Sequence, residues 1–552
     1  MAKDELEAVV EGSRGVLSTA SSGDFATARS ELAGLTEHAA TAAELTSDPV
    51  WRAAEIVPWL GANLRAVRVA AAEGHAVLAR VAAPVLDGAE TVTAGPGPAE
   101  TGALLDVAAL RTAAPRFADA SRVAVAAQQR LTELDTDALL PPVTDGVRAL
   151  SDAVGGVTPA VTALADAAAV LPTMLGADEP RTVLVMIQNN AELRTGGGIT
   201  GTFLELSADQ GRLTITAQSE SADFEPASEG IVEIPESTST LYGGVVDKWV
   251  ANTAMSADFT VTADLASTWW HTLTGHRPDA IVSIDPIVLQ ALLRAHGPVE
   301  TSEGAVTADD VVQRLLVEPY MTRSQAEQTA LFEEVAHTVF GSLTSSATDP
   351  LRLASTLAQP LADGRVSVWS AHGAEQSVLA DTWLAGPSAR QAQSGSDAYA
   401  VYFNDATGGK MDSYLDVAIA SGAASCDAGT RAEIAVTLTN SAPAEASSWP
   451  FSMTGGGRWG APAGGIATIV TVSAPEGSFY GGVDVDGASI APTTVEDAGF
   501  PVSATTVVLA PGETKTITFE FLRRGAAVTE PVVLHTPLLV TPDLTRATPS
   551  CG

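Results

Sequence analysis

Lysine is nearly missing: Lys3, Lys248, Lys410 and Lys515 are the only ones in 552 residues, and arginine makes up the rest of the 30 basic side chains. Against 66 acidic residues this leaves a net charge of −36. No basic cluster offsets it, so phosphate backbones and anionic bilayers are repelled and nucleic-acid binding is excluded. Long apolar runs are missing too. No uninterrupted stretch of about eighteen apolar residues occurs, and Met1-Ala2-Lys3-Asp4-Glu5 lacks the apolar core of a secretory signal. The expectation is a chain whose membrane anchor lies upstream of the numbered sequence, with the start methionine in its place.

Cysteine is limited to Cys426 and Cys551. A pair is what one disulfide needs, and closing so long a loop stabilises by about 4–5 kcal/mol while tying down the tail. Pairing favours an oxidising, extracytoplasmic compartment; two buried free thiols are the alternative. Several catalytic signatures are also missing. The eight histidines show no His-Glu-x-x-His spacing, and no Gly-x-Ser-x-Gly elbow occurs. Gly408-Gly409-Lys410 lacks the upstream glycine and following hydroxyl of a phosphate loop. Asp484-Val485-Asp486-Gly487 has too few ligands for a calcium loop and reads as a hairpin turn.

What is present divides by grammar. At 46% apolar and 17% charged residues the chain is globular, and its length suits roughly three or four domains. From Glu5 to about Leu175 the segments Asp24 to Leu45, Leu60 to Leu86, Ala114 to Leu134 and Val157 to Leu171 have helical period. Ser22 is a candidate cap, Pro84 a kink or end, and Gly95-Pro96-Gly97-Pro98 a break. After Gly176-Ala177-Asp178-Glu179-Pro180 strands alternate with helices. Asp285-Pro286 opens a helix that stops at Gly297, and Thr307 with Asp310 and Ser324 with Glu327 have the capping-box spacing. The crossover rule makes much of this sheet parallel. From Asp397 short strand-like runs are punctuated by turns such as Ala510-Pro511-Gly512-Glu513. The expected architecture is multidomain, α, α/β and β: a helical bundle over 1–176, an α/β layered domain over 180–396 and an immunoglobulin-like β-sandwich over 397–552.

The stretch Arg181 to Leu206 concentrates the chemistry. Val183 to Ile187 is an apolar, β-branched run that suits a buried strand. Ligands of open α/β sheets sit beyond the carboxyl ends of strands, which makes Asn190 and Glu192 candidate ligand-binding residues. Gly196, Gly197 and Gly198 would let backbone approach a ligand closely. A hairpin whose turn requires glycine and polar caps is the alternative.

The strings QNNAELRTGGGITGTF, DKW, ADF, AIVSIDPIVLQALLRAHGPVE and NDATGGKMDSYL follow one another between residues 180 and 420. Together they resemble a bacterial surface family known as domain of unknown function 4012. That domain in turn distantly resembles the LytR-CpsA-Psr phosphotransferases, which move glycopolymers from a polyprenyl pyrophosphate lipid to the cell wall with magnesium. By this resemblance Arg194, Asp247-Lys248, Asp285 to Val299 and Tyr320 to Gln325 occupy the corresponding places. It implies catalytic roles for Arg194, Arg323 and Asp247, with Lys248 at the ligand. Arg194 and Arg323 are then expected to point into one diphosphate pocket beside an apolar channel for the lipid tail. Two departures stand out: Thr195-Gly196-Gly197 and Ser219-Glu220-Ser221 replace an acidic residue and an Arg-Asp pair. Glu192, Asp223, Asp247 and Asp258 are substitute magnesium ligands, or else capping and solvated carboxylates. Two functions are carried forward. One is a membrane-anchored, extracytoplasmic envelope protein handling polyprenyl-phosphate lipid or cell-wall glycopolymer, as enzyme or binder. The other is a non-catalytic surface or assembly protein that binds envelope partners through its bundle and sandwich.

Overall fold

The structure is a computed structural model that describes residues 16, 19–20, 23–58, 60–94, 102–345, 350–427, 429–524 and 529–551. Met1 to Glu5, Ser22 and Gly95-Pro96-Gly97-Pro98 lie outside them. Two compact units emerge: one comprises Met1–Pro180, Asp209–Arg212 and Asp349–Leu351, the other Arg181–Ala208, Leu213–Thr348 and Arg352–Gly552.

The first unit is helical, and among the described residues no strand precedes Arg181. Helix α1 (Phe25–Ser47) is capped by Asp24, whose carboxylate accepts from the Thr27 N–H. Helix α2 (Gly61–Val77) runs through a π-helical turn, Leu78–Ala82, into α3 (Ala83–Thr93). Pro84 falls just after that turn. Because proline has no N–H to give, the ladder widens there and the helix continues instead of ending. Helices α4 (Val107–Thr132) and α5 (Pro141–Met174) complete the unit and carry internal prolines of their own. Alanine lets these helices approach closely. Ala66 and Ala70 of α2 pack with Ala127 and Leu131 of α4 and with Val147 and Val154 of α5. Two stretches, Gly61–Thr93 and Pro141–Met174, are long and apolar enough to cross a membrane by length and composition alone. Both contribute side chains to this core.

The second unit opens with a five-stranded sheet in the order β3-β2-β1-β4-β5: β1 (Arg181–Asn189), β2 (Ile199–Asp209), β3 (Arg212–Glu220), β4 (Ala280–Ile284) and β5 (Ser367–Ser370). Val183 to Met186 on β1 are buried, as the apolar run requires. The expectation of a mostly parallel sheet is corrected. Only β1 and β4 are shown running parallel; β2 and β5 pair antiparallel with their neighbours. The hairpin 190–198 returns the chain at once from β1, and five helices among the described residues intervene between β4 and β5, which enters from the opposite end. Helix α6 (Phe259–Thr274), capped by Asp258, lays Trp269 and Trp270 against Leu184, Met186, Phe203 and Ile281. Asp285 caps α7 (Pro286–His296) by accepting from Ile287 and Val288 N–H, and α7 stops at Gly297. Helices α8 (Val311–Leu316) and α9 (Gln325–Ser345) follow, the latter with its Ser324–Glu327 box in place.

The remainder is strand-rich. One sheet holds β6 (Ala398–Asp405), β9 (Ile466–Ser473), β12 (Thr493–Asp497), β13 (Phe500–Leu509) and β15 (Val532–His535). The other holds β7 (Leu415–Cys426), β8 (Gly429–Asn440), β10 (Ser478–Val485), β11 (Ala488–Ile490), β14 (Thr514–Arg523) and β16 (Asp543–Arg546). Tyr399, Val401 and Phe403 of the first sheet share a core with Ile434, Val436, Phe519 and Phe521 of the second. Asp486 and Gly487 take positive φ in the β10–β11 turn, so the calcium-like string is a hairpin. Cys426 and Cys551 are disulfide-bonded, with Cα atoms 5.5 Å apart. The bond ties the tail to the end of β7, the second strand of this region.

Candidate functional site

The β1–β2 hairpin loop, residues 190–198, is clamped by the segment 404–412. Asp405 N–H donates to the Leu193 carbonyl and Asp412 N–H to that of Ala191. In return the Asp412 carboxylate accepts from Leu193 N–H at 2.7 Å, and the Asn404 amide binds both the N–H and the hydroxyl of Thr195. Leu193 itself, 2% exposed, is part of the core of the β-rich region. Two of the five strings that carried the resemblance, QNNAELRTGGGITGTF and NDATGGKMDSYL, therefore interlock. Sequence reasoning treated Gly408-Gly409-Lys410 only as a failed phosphate loop, and the signal it lacked was the partner segment two hundred residues upstream.

Inside the clamp lies a buried ionic cluster. Glu192 accepts from Arg194 at 3.2 Å and from the Lys410 ammonium, which also sits 5.3 Å from the centre of the Tyr320 ring. Burial works against the Glu192 carboxylate, but the Lys410 and Arg194 charges outweigh it and hold its pKa below the usual value. Burial pushes Asp405 up to about 6, with the Glu192 charge adding to the effect. Asp412 is raised well above its ordinary value by burial and by Asp405. All five N–H groups of Arg194 are spent on the protein: on Asn252 twice, on Glu192, and on the carbonyls of Leu193 and Asp405.

The expected pairing of Arg194 with Arg323 is thus corrected. Arg323 forms a two-pronged ion pair with Glu303, both contacts 2.6 Å, and shares none of Arg194's partners. The glycines do not floor a ligand site. A side chain on Gly198 would come within 2.1 Å of the Asn189 carbonyl, and Gly197 takes a φ of +135°, so they let the loop fold back on β1. The hairpin alternative holds. Asn190 is fully buried and donates to Asp285 and to the Pro537 carbonyl. Asp285 also pairs with Arg365 at 2.6 Å. Asp247 and Lys248 accept through their carbonyls from Ile231 and Ala227 N–H, which fixes the loop 227–231 beside them. Gly230 packs so tightly on the Asp247 carboxylate that a side chain there would lie 1.9 Å from it.

Three of the four carboxylates offered as magnesium ligands are engaged by the protein itself. Glu192 is held between two cations, Asp223 accepts from Glu220 N–H, and Asp258 caps α6. No group of three or more His, Cys, Asp or Glu side chains converges among the described residues.

Next to the clamp the sheet and helices enclose a cavity of about 260 Å³. Its apolar lining comes from Ile187 and Ile199 of the sheet, Leu289 of α7, Leu315 and Leu316 of α8, and Phe332 and Val335 of α9. Tyr320, Lys410, Gln188 and Glu220 bring polar groups to it. Glu220, at the end of β3, accepts from the Thr202 hydroxyl at 3.0 Å through each carboxylate oxygen. Burial raises its pKa to about 7. Sequence reasoning saw Glu220 only as a departure from the phosphotransferase pattern. Its seat in the cavity depends on α9, which is more than a hundred residues away.

Strands β1 to β4 with α6 to α8 form a contiguous segment, and that segment has relatives. Residues 178–320 match the family described as Protein of unknown function (DUF4012). The DUF4012 match ends at Tyr320, so the clamp's second half, Asn404 to Asp412, and the α9 wall of the cavity lie beyond it. No curated protein matches the chain.

Proposed function

We propose that this is a cell-envelope protein, working outside the cytoplasmic membrane, whose α/β region binds the lipid of a lipid-linked glycopolymer without transferring its phosphate. The observation that carries the reading is the apolar cavity between the sheet and helices α7 to α9. A concave site that combines apolar walls with convergent polar groups is the usual form of a small-ligand site. The LytR-CpsA-Psr resemblance, which implies an apolar channel for a polyprenyl tail, supports the same reading. Binding is favoured over catalysis because Arg194, Lys410 and Arg323 are all engaged by Glu192 or Glu303. Phosphoryl transfer needs such cations turned toward the substrate. The disulfide favours an oxidising compartment, and an anchor upstream of residue 1 would hold the protein at the membrane.

Extraction of the protein purified from a bacterial envelope, followed by mass spectrometry, is expected to release an isoprenoid lipid. Leu289→Trp, which fills the cavity, should abolish that recovery while the protein remains folded by circular dichroism. Equal recovery from the variant would refute the reading. A second reading, a partner-binding surface protein with an immunoglobulin-like sandwich, is favoured by aromatic side chains left exposed on the β-rich region: Phe451, Trp459, Phe479 and Tyr480.

A further inference from the structure

Burying a carboxylate without a cation is costly, and proteins retain such groups mainly where a ligand completes them. Glu220 is 7% exposed, yet its donors are all neutral: the Thr202 hydroxyl, the Asp223 N–H and the Gln218 side chain. The acidic residues Asp223 and Glu333 add their repulsion to the effect of burial. Lys410 lines the same cavity, but its ammonium is held by Glu192 and lies over the Tyr320 ring. A second group on the cavity wall points to the same deficit. Gln188 is 1% exposed and donates its Nε2 to Thr200, which leaves Oε1 with no hydrogen-bond partner. Glu220 is short of a cation, and Gln188 Oε1 of any donor.

We infer that the cavity takes an amphipathic ligand whose polar end is a hydrogen-bond donor, an ammonium or a hydroxyl, seated on Glu220 and Gln188, and that it rejects a phosphate at that place. The inference rests on the proposed lipid-binding role of the cavity and narrows it. A diphosphate of a lipid-linked substrate would meet Glu220 with like charge, so the carrier enters by a donor-bearing or dephosphorylated end. Ammonium and hydroxyl share the donor chemistry, but only the ammonium gains from the charge of Glu220.

The test compares decylamine, decanol and decyl phosphate, chain-matched and below their aggregation limits, by isothermal titration calorimetry with the full-length protein at pH 8. Decylamine and decanol should each bind more tightly than decyl phosphate, the amine by about tenfold or more, the scale of one charge-assisted contact. Glu220→Gln should bring the amine level with the alcohol, and Gln188→Leu should weaken both. Amine above alcohol in the wild type identifies an ammonium ligand, and equal affinities identify a hydroxyl. Tightest binding of decyl phosphate, or an amine preference that survives Glu220→Gln, would overturn the donor assignment and leave the lipid cavity standing. If none of the three binds, the cavity reading falls as well.

Discussion

Arg194 shows how a single side chain can carry a site's architecture without facing a ligand. Removing it by Arg194→Ala strips Glu192 of one of its two cations and takes one donor from each of the Leu193 and Asp405 carbonyls and two from the Asn252 amide oxygen. Breaking a buried ion pair by deleting one member costs about 3–5 kcal/mol, because the other charge remains buried. Arg194→Ala should therefore lower the urea midpoint of the second unit substantially. An unchanged midpoint would mean the guanidinium is free to serve a ligand after all. Arg323→Ala gives the contrast. Its pair with Glu303 lies at the surface, and such pairs are worth about 0–1 kcal/mol. From sequence the two arginines looked equivalent, since residue type and order do not record which carboxylate each will meet.

At the scale of elements, β3 ends on a carboxylate that the fold would rather keep protonated. Burial raises the Glu220 pKa from 4.5 to about 7, so the folded state holds a proton that the unfolded chain releases. Stability from this group is intact below about pH 4.5 and declines as pH rises through 7, the reverse of a salt-bridged acid. A shift of this size corresponds to about 3 kcal/mol. Glu220→Gln should accordingly raise the melting temperature at pH 8 and leave it nearly unchanged at pH 4.5; equal effects at both pH values would contradict the protonation account. Much at this scale was legible in the sequence. The β1 run, the Asp285-Pro286 cap, the Ser324–Glu327 box and the Asp486-Gly487 turn are local signals and appear where expected. Strand direction was not legible, because it depends on which end of the sheet the chain re-enters after helices of unspecified path. Nor was the cavity: its wall needs β1, α7, α8 and α9 together, and no local pattern names that company. The clamp between 190–198 and 404–412 was half visible, as two motifs without a stated contact.

Across the whole molecule, the disulfide spans 125 residues and closes the β-rich region. In the loop-entropy treatment a closure of that length is worth about 5 kcal/mol. Protein carrying Cys426→Ser and Cys551→Ser should unfold at correspondingly lower denaturant, with β16 exchanging its amide protons first; matching denaturation curves would remove the structural role of the bond. The same tail has another consequence. The Pro537 carbonyl receives the Asn190 amide across 347 positions, Thr536 bonds to both Phe403 and Thr195, and Leu538 receives Arg365. A ribosome thus delivers β1 and its hairpin long before the groups that seal them. Through most of synthesis Asn190 and Arg365 have Asp285 but not their carbonyl partners in the tail, and the parallel partners of β6 and β7 do not yet exist. The clamp contacts and the cavity lining all come from residues before 453, and the tail adds its seal and the two outer strands last, so a product cut short near residue 530 would emerge with β6 and β7 as bare sheet edges.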